Sequence, residues 1–115
     1  MSILVTGHRG FIGSRLFKKL KAVGIDIKNG HILITCDLTK GIDVIYHLAA
    51  QSSVEASWED PVHDMDNIRM TARLVKEYPD AKIIYTASAA TPTTSPYWFS
   101  KWVSAEYIKN FHKNY

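Results

Sequence analysis

The sequence contains one cysteine among its 115 residues and has no long apolar run. This lone thiol, Cys36, excludes a disulfide within the chain and is compatible with a reducing compartment. No apolar stretch is long enough to span a bilayer, and the first predicted strand begins so early that it leaves no room for a signal peptide. We therefore expect a cytoplasmic protein with no membrane partner.

Metal-ligand spacings and nucleic-acid motifs are absent as well. The five histidines show no metal-ligand spacing with one another or with the cysteine, so we expect no metal site. The net charge is +3, and the only tight basic cluster, at residues 18–21, is typical of a solvated helix face. We expect no nucleic-acid partner. Hydrophobic residues make up 46% of the chain, which predicts one globular domain over residues 1–115.

Short apolar runs alternate with helical patterns along the chain. The runs are rich in β-branched residues and predict strands near 2–6, 31–36, 43–48 and 81–86. Helices are predicted near 12–22, 61–77 and 96–112. The second helix has Asp60 as its expected N-cap and Pro61 in its first position. The alternation predicts an α/β fold, a minimal Rossmann-like three-layer domain with a parallel sheet of about four strands.

Two connections are shorter than this fold usually requires. Residues 37–43 leave no room for a crossover helix between parallel strands, which takes about a dozen residues. Residues 24–30 are also brief, so the strand–helix unit expected there is predicted to be missing or vestigial.

Three glycines at G-x-x-G-x-x-G spacing lie between the first predicted strand and the first helix: Gly7, Gly10 and Gly13. A strand, a tight turn and a helix N-terminus bring backbone N–H groups and the positive helix end to one spot, which suits a dinucleotide pyrophosphate. The first glycine allows the turn, the middle one lets the phosphates approach, and the last lets the helix pack on the strand. The alternatives are a site for another phosphate ligand and an ordinary strand-to-helix turn.

A tyrosine and a lysine four residues apart, Tyr97 and Lys101, share one face of the last predicted helix. A free tyrosine has a pKa of about 10, and a nearby ammonium is expected to lower it. The pair can then take a proton from a hydroxyl while a hydride leaves the same carbon for a nicotinamide. Ser88 could hydrogen-bond the carbonyl oxygen that develops. The alternative is that the pair belongs only to the helix surface.

Four segments carry a resemblance to a known family: residues 6–13, 43–51, 83–90 and 96–101. Together they resemble the extended short-chain dehydrogenase/reductase superfamily, the sugar-nucleotide epimerases and dehydratases. Residues 46–75 are most similar to its UDP-glucose 4-epimerase branch. The resemblance implies NAD or NADP as the cofactor and a nucleotide sugar as the substrate.

The resemblance also implies roles for individual residues. Ser88, Tyr97 and Lys101 match the catalytic serine, tyrosine and lysine, and the lysine also holds the nicotinamide ribose. The implied cofactor-binding positions are Gly7, Arg9, Gly10, Phe11, Ile12, Gly13, Asp37, Leu38, Leu48, Ala49, Ala50, Tyr97 and Lys101.

Some of these positions have a second interpretation. Arg9 could contact a 2′-phosphate and favour NADP, so the choice between NAD and NADP is open. The acidic residue that would grip the NAD ribose has no clear counterpart, because Asp26 comes too early and ends no convincing strand. Asp37 is equally consistent with a turn or helix cap, and residues 48–50 with close packing alone.

The chain departs from the family in its length. The later strands and the substrate lobe are absent, and Ser88 lies only nine residues before Tyr97. The resemblance implies a homodimer through helices 61–77 and 96–112, where Trp98 and Trp102 add to a broad apolar surface. Two functions follow. The first is an NAD(P)-dependent nucleotide-sugar epimerase or dehydratase that uses a Ser-Tyr-Lys site. The second is an inactive nucleotide-binding or dimeric scaffold module derived from that family.

Overall fold

A computed structural model describes residues 2–7, 11–25, 40–48, 54–86 and 95–115. Four strands are present: β1 (Ile3–Thr6), β2 (Val23–Ile25), β3 (Val44–His47) and β4 (Lys82–Tyr85). Four helices accompany them: α1 (Phe11–Leu20), α2 (Val54–Glu59), α3 (Val62–Glu77) and α4 (Pro96–Phe111). The predicted strand at 31–36 lies outside the described residues.

The strands form one parallel sheet in the order β2-β1-β3-β4. β1 leads through α1 to β2 on one side, and β3 leads through α2 and α3 to β4 on the other. Because parallel crossovers are right-handed, these opposite directions place α1 and α3 on opposite faces of the sheet. The α/β prediction with a parallel sheet of about four strands is confirmed.

The hydrophobic core lies between the sheet and the helices α3 and α4. Leu4, Ile45 and Ile83 are paired across three neighbouring strands and are almost completely buried. They pack with the following core residues from the helices and loops: Ile42, Met70, Leu74, Val75, Tyr78, Ala81 and Ile108. Two residues further along each strand, towards the carboxyl ends, the next row faces the same helices. This row is polar and consists of Thr6, His47 and Tyr85. This change from an apolar to a polar row marks where the core ends and a site can begin.

A strand–helix unit at residues 24–30 was expected to be missing or vestigial. A strand of three residues, β2, lies at its start, and residues 26–39 lie outside the described residues. Val23 pairs with Leu4 and Ile25 pairs with Thr6, so a short strand does follow α1. The chain returns through Lys21, which adopts a left-handed backbone with φ 51°. A three-residue strand with glycine at its centre has little intrinsic strand preference, and pairing with β1 stabilises it instead.

The helix predicted at 61–77 begins one residue later than expected. Pro61 is its N-cap, and no side chain forms a capping hydrogen bond there, so Asp60 is not the cap. A separate short helix, α2, precedes it. By contrast, the last helix has a side-chain cap, because Ser95 Oγ accepts a hydrogen bond from Trp98 N–H at 3.1 Å.

The segment after α4 folds back onto the start of β4. The His112 ring lies 2.6 Å from the Ala81 carbonyl through Nε2, and Ile83 N–H donates to the Asn114 carbonyl at 3.0 Å. Lys113 pairs with Asp80 at 2.5 Å. In the described part of the chain, no helix is long and apolar enough to cross a membrane.

Candidate functional site

The carboxyl ends of β1 and β3 lie side by side, and each is followed by a residue expected to bind a cofactor. Thr6 pairs with His47, so Gly7 and Leu48 leave the sheet together. Leu48 N–H donates to both the carbonyl and the Oγ1 of Thr6, at 3.2 and 3.0 Å. The sheet has a topological switch point here. From β1 the chain continues to β2 on one side, whereas β3, which comes later in the sequence, lies on the other side of β1. Ligands of parallel α/β sheets bind at such a switch point.

The glycine turn has the backbone that a phosphate site requires. Gly7 has φ 78°, a left-handed conformation that a glycine adopts without strain. Gly13 is buried in α1, whereas Ile12 is 65% exposed beside it. The first turn of α1 contains no acidic residue, so its positive end is not neutralised by its own side chains. These features fit a dinucleotide diphosphate.

Of the other expected site residues before Tyr97, only one lies in the described part of the chain. Phe11 begins α1. The others lie outside the described residues: Arg9, Gly10, Asp37, Leu38, Ala49, Ala50 and Ser88. Their roles remain predictions from the sequence.

The structure brings Lys101 to the carboxyl end of β4. Its ammonium donates to Thr86 Oγ1 at 3.2 Å and lies 4.3 Å from the centre of the Tyr85 ring. Tyr85 pairs with His47, which pairs in turn with Thr6, so the lysine lies at the same edge of the sheet as the glycine turn. Tyr97 and Lys101 are both buried on α4. The pair is therefore not simply part of the helix surface.

The electrostatics of the pair differ from the expectation. Burial, and after it the Asp64 carboxylate, raises the pKa of Tyr97 above its usual value. Burial lowers the pKa of Lys101 to about 8. The expected lowering of the tyrosine pKa by the lysine is thus wrong. Burial of the phenol itself is the main cause, and the carboxylate of Asp64, from another helix, acts in the same direction.

Asp64 is a residue that the sequence reasoning missed. It lies on α3 with no exposed surface, and it accepts a 2.6 Å hydrogen bond from Ser57 Oγ. Its Oδ1 is buried without a hydrogen-bond partner among the described residues. A signal was available, since Asp64, Asn67 and Thr71 recur at helical spacing along the buried face of α3. Polar residues on a buried helix face point to a polar site.

His47 was also missed, although it lies within the third strand. It is buried between hydroxyls, with Nδ1 2.7 Å from Thr6 Oγ1 and Nε2 2.9 Å from Thr71 Oγ1. Burial, together with the nearby Lys101 charge, lowers its pKa to about 3. The imidazole is therefore neutral at physiological pH. Among the described residues, no cluster of three or more metal-ligating side chains occurs.

Comparison with known proteins settles the family. Residues 3–115 match the profile of the NAD dependent epimerase/dehydratase family. The chain belongs to this family. The resemblance of its four segments to sugar-nucleotide epimerases and dehydratases is thereby confirmed.

Members of the epimerase/dehydratase family resemble the chain in sequence and in structure. UDP-glucose 4-epimerase of Mycolicibacterium smegmatis is 32% identical over 163 residues, which covers 99% of this chain and 52% of the relative. UDP-N-acetylglucosamine 4-epimerase of Methanobrevibacter ruminantium, solved with UDP-N-acetylmuramic acid, superposes with a TM-score of 0.82 at 28% identity. That superposition covers 96% of this chain and 50% of the other. The Bordetella bronchiseptica enzyme WbmF, solved with NADH, shares the fold with a TM-score of 0.68 at 23% identity, over 96% of this chain and 45% of WbmF.

The chain spans about half the length of the relatives that it matches from end to end. The aligned region of the M. smegmatis relative, 163 residues, exceeds the 115 residues of the whole chain by 48. That relative thus holds residues inside the shared region that have no counterpart here. The short connections noted in the sequence agree with this difference.

Proposed function

We propose that the chain binds NAD and carries the Ser-Tyr-Lys half of a nucleotide-sugar epimerase or dehydratase site. One observation carries the proposal. The glycine turn, the end of β3 and the Lys101 ammonium lie at one edge of the sheet, and Tyr97 is buried one helical turn before Lys101. A dinucleotide site and an acid–base group are thereby brought to the same place.

The chain's own residues would hold the dinucleotide and move one proton. The turn at Gly7 and the N-terminus of α1 would bind the diphosphate, and Lys101 would bind a ribose hydroxyl. Tyr97 Oη would accept the proton of a sugar hydroxyl, and Ser88 would hydrogen-bond the same oxygen. NAD held by these residues would supply the hydride acceptor and donor for that carbon. Proton and hydride leave one C–OH group together, so the sugar carbon is oxidised to a ketone and later reduced.

The pKa of Tyr97 is raised, and it must fall before the phenolate can act as a base. Lys101 has the opposite charge to a phenolate and lies one helical turn away, so it can stabilise the ionised form. The Lys101 pKa of about 8 leaves the ammonium mostly charged at neutral pH. Asp64 acts against it. We infer that the balance of these two groups sets the pH range of turnover.

Of the two cofactors, the structure favours NAD. β2 ends at Ile25, level with Thr6 of β1, so Asp26 directly follows a strand next to the glycine turn. An acidic residue at the end of that strand hydrogen-bonds the ribose hydroxyls of NAD and repels a 2′-phosphate. Asp26 itself lies outside the described residues. We expect NAD to bind at least about tenfold more tightly than NADP, and Asp26→Asn to reduce that ratio.

The second candidate is a nucleotide-binding module without turnover. One observation favours it: the pKa of Tyr97 is raised above its usual value. A phenol with a raised pKa is a poor proton acceptor at neutral pH, which would slow turnover without preventing nucleotide binding. Such a module would bind NAD and leave UDP-sugars unchanged.

A second copy of the chain is the proposed partner, as helices 61–77 and 96–112 led us to expect. Met65 of α3 and Phe99 and Trp102 of α4 are each more than two-fifths exposed. Phe99 and Trp102 stack with their ring centres 6.0 Å apart. Two adjacent helices that expose aromatic and thioether side chains are suited to pairing with the same surface of another protomer.

The test of cofactor binding uses two glycines with the same backbone conformation. Gly7 and Gly41 both have φ 78°, but Gly41 precedes β3 at the opposite edge of the sheet, and no atom there lies within 4 Å of the position that a β-carbon would occupy. Replacing either by alanine introduces similar backbone strain. We expect Gly7→Ala to weaken NAD binding about tenfold or more by calorimetry, and Gly41→Ala to leave it unchanged.

The protein should also gain thermal stability from saturating NAD, since a ligand of the folded state stabilises it. A protein that gains none and also carries no nucleotide when purified would contradict both candidate functions. NAD binding without conversion of UDP-glucose or UDP-galactose would select the second.

A further inference from the structure

A continuous row of hydrogen bonds runs from the end of β3 into α3. Leu48 N–H donates to Thr6 Oγ1 at 3.0 Å, and that hydroxyl contacts Nδ1 of His47 at 2.7 Å. On the other side of the ring, Nε2 contacts Thr71 Oγ1 at 2.9 Å. Thr71 donates its own proton to the Asn67 carbonyl at 3.0 Å.

The row continues from α3 into α4. Asn67 Nδ2 donates to Ser100 Oγ at 3.0 Å, and Ser100 donates to the carbonyl of Tyr97 at 2.7 Å. All the side chains in the row are buried. It therefore joins the ends of β1 and β3 to the first turn of the helix that carries Tyr97.

The directions of these bonds determine the tautomer of His47. Thr71 has given its proton to Asn67, so its oxygen can only accept, and Nε2 of His47 must carry a hydrogen. Nδ1 of the neutral ring is then an acceptor, and Thr6 donates to it. Within this row each hydroxyl accepts one hydrogen bond and donates one. Every bond is donated in the direction that leads from Leu48 to Tyr97. Of the titratable groups near the ring, Lys101 carries the charge that adds to burial in lowering the pKa of His47. The Tyr85 ring is neutral, and its centre lies 5.3 Å from the centre of the His47 ring.

We propose that His47 is a positioning residue, which holds the nucleotide-binding strand ends and the Tyr97 helix in one fixed relation. The proposal rests on the function proposed above. In this row the His47 ring contacts both Thr6 of the sheet and Thr71 of α3. A neutral ring with one donor and one acceptor can serve both hydroxyls, whereas a protonated ring would leave Thr6 without its acceptor.

The first test reads the tautomer in the ligand-free protein, by nitrogen NMR of histidine-labelled samples. We expect His47 to carry its hydrogen on Nε2, with Nδ1 unprotonated, and to show no titration between pH 5 and pH 8. A hydrogen on Nδ1, or titration near the ordinary histidine value, would overturn the proposal. This readout is independent of NAD and of turnover, so it stands even if the proposed function fails.

The second test cuts the row beyond His47 and leaves Thr6 in place. Thr71→Val removes the hydroxyl at constant shape, and Thr71→Ser restores a hydroxyl as the matched control. With valine we expect NAD affinity within about twofold of wild type, and a kcat for UDP-glucose that is lower by about tenfold, because only the Tyr97 side of the row is released. Serine should restore most of the kcat.

Amide hydrogen exchange separates this role from simple loss of stability. In Thr71→Val, exchange at residues 97–101 should accelerate by about tenfold relative to the strand residues 4–6, in the absence of any ligand. Equal acceleration in both places, equal loss of NAD affinity and kcat, or no change in either would each contradict the proposal. If wild type binds NAD without turnover, the proposed enzymatic function fails, while the exchange and tautomer measurements still decide the role of His47.

Discussion

His47 and Lys101 are titratable side chains that are buried in this protein, and their hydrogen-bond partners are threonine hydroxyls. Burial lowers the pKa of His47 to about 3 and that of Lys101 to about 8. In both cases desolvation is the main cause, because the charged form loses water that no opposite charge replaces. Each group therefore makes the stability of the fold depend on pH.

Acid should destabilise the protein through His47. Its pKa is lower in the folded than in the unfolded chain, so the unfolded chain binds the extra proton, and stability falls as the pH drops from about 6.5 towards 3. Between pH 7 and pH 5.5 the expected loss of unfolding free energy is about 1 kcal/mol from this residue. Urea unfolding at the two pH values measures it. His47→Gln, which does not titrate, should lose that part of the dependence, and an identical dependence in the variant would refute the assignment.

Removing the phenol of Tyr97 should abolish turnover and preserve cofactor binding. In Tyr97→Phe we expect kcat for a UDP-sugar to fall by at least about a hundredfold, since acid–base catalysis contributes 10²–10⁴. NAD affinity should change little. Tyr107→Phe, on the same helix but packed against the core, is the matched control and should retain activity. Full activity in Tyr97→Phe would exclude it as the proton acceptor.

At the scale of elements, α1 ends in an unusual way. Lys21 occupies the left-handed position after the helix, where its N–H reaches the Lys18 carbonyl at 3.4 Å and Ala22 N–H reaches the Phe17 carbonyl at 3.2 Å. Glycine is the usual residue there, because a side chain in that conformation is strained. This turn also sends the chain back to form β2.

Glycine at position 21 should therefore stabilise the protein. For Lys21→Gly we expect a gain of about 0.5–1 kcal/mol in unfolding free energy, as relief of strain outweighs the greater freedom of the unfolded chain. Lys19→Gly, two residues earlier within the helix and also exposed, should instead lose about 1 kcal/mol. Chemical denaturation of both variants tests the pair, and a loss at position 21 would show that the turn is not strained.

Strands β1, β3 and β4 and both long helices could be predicted because each has its own strong local pattern. β2 could not, since its three residues include Gly24 and gain their stability from β1. The glycine turn and the Tyr97–Lys101 face were also evident in the sequence. Their electrostatics were not, because Asp64 reaches Tyr97 from another helix and burial depends on the packed fold.

At the scale of the whole molecule, an apolar face remains uncovered on the outer side of α3 and α4. It includes Met65, Phe99 and Trp102, and α2 adds Trp58, which is 63% exposed. Partners of such a face usually bury aromatic residues near its centre.

A charge in this face should separate the proposed dimer. We expect Trp102→Glu to weaken self-association by at least about a hundredfold, because a buried aromatic anchor is lost and an unpaired carboxylate would be buried. Phe111→Glu is the matched control, since Phe111 is 69% exposed on the same helix but points to the opposite side. Sedimentation equilibrium of the three proteins measures the difference. A wild-type monomer at high concentration would contradict the dimer.

The four residues that follow α4 have a consequence for how the protein meets other polypeptides. β4 ends the described sheet, and the Asn114 carbonyl satisfies Ile83 N–H there while Lys113 and Asp80 place charge alongside. An open, uncharged strand margin is a template for intermolecular growth into fibrils. Proteolysis that releases residues 112–115 would expose such a margin even though the core stays intact. We expect release of these residues to promote association through β4.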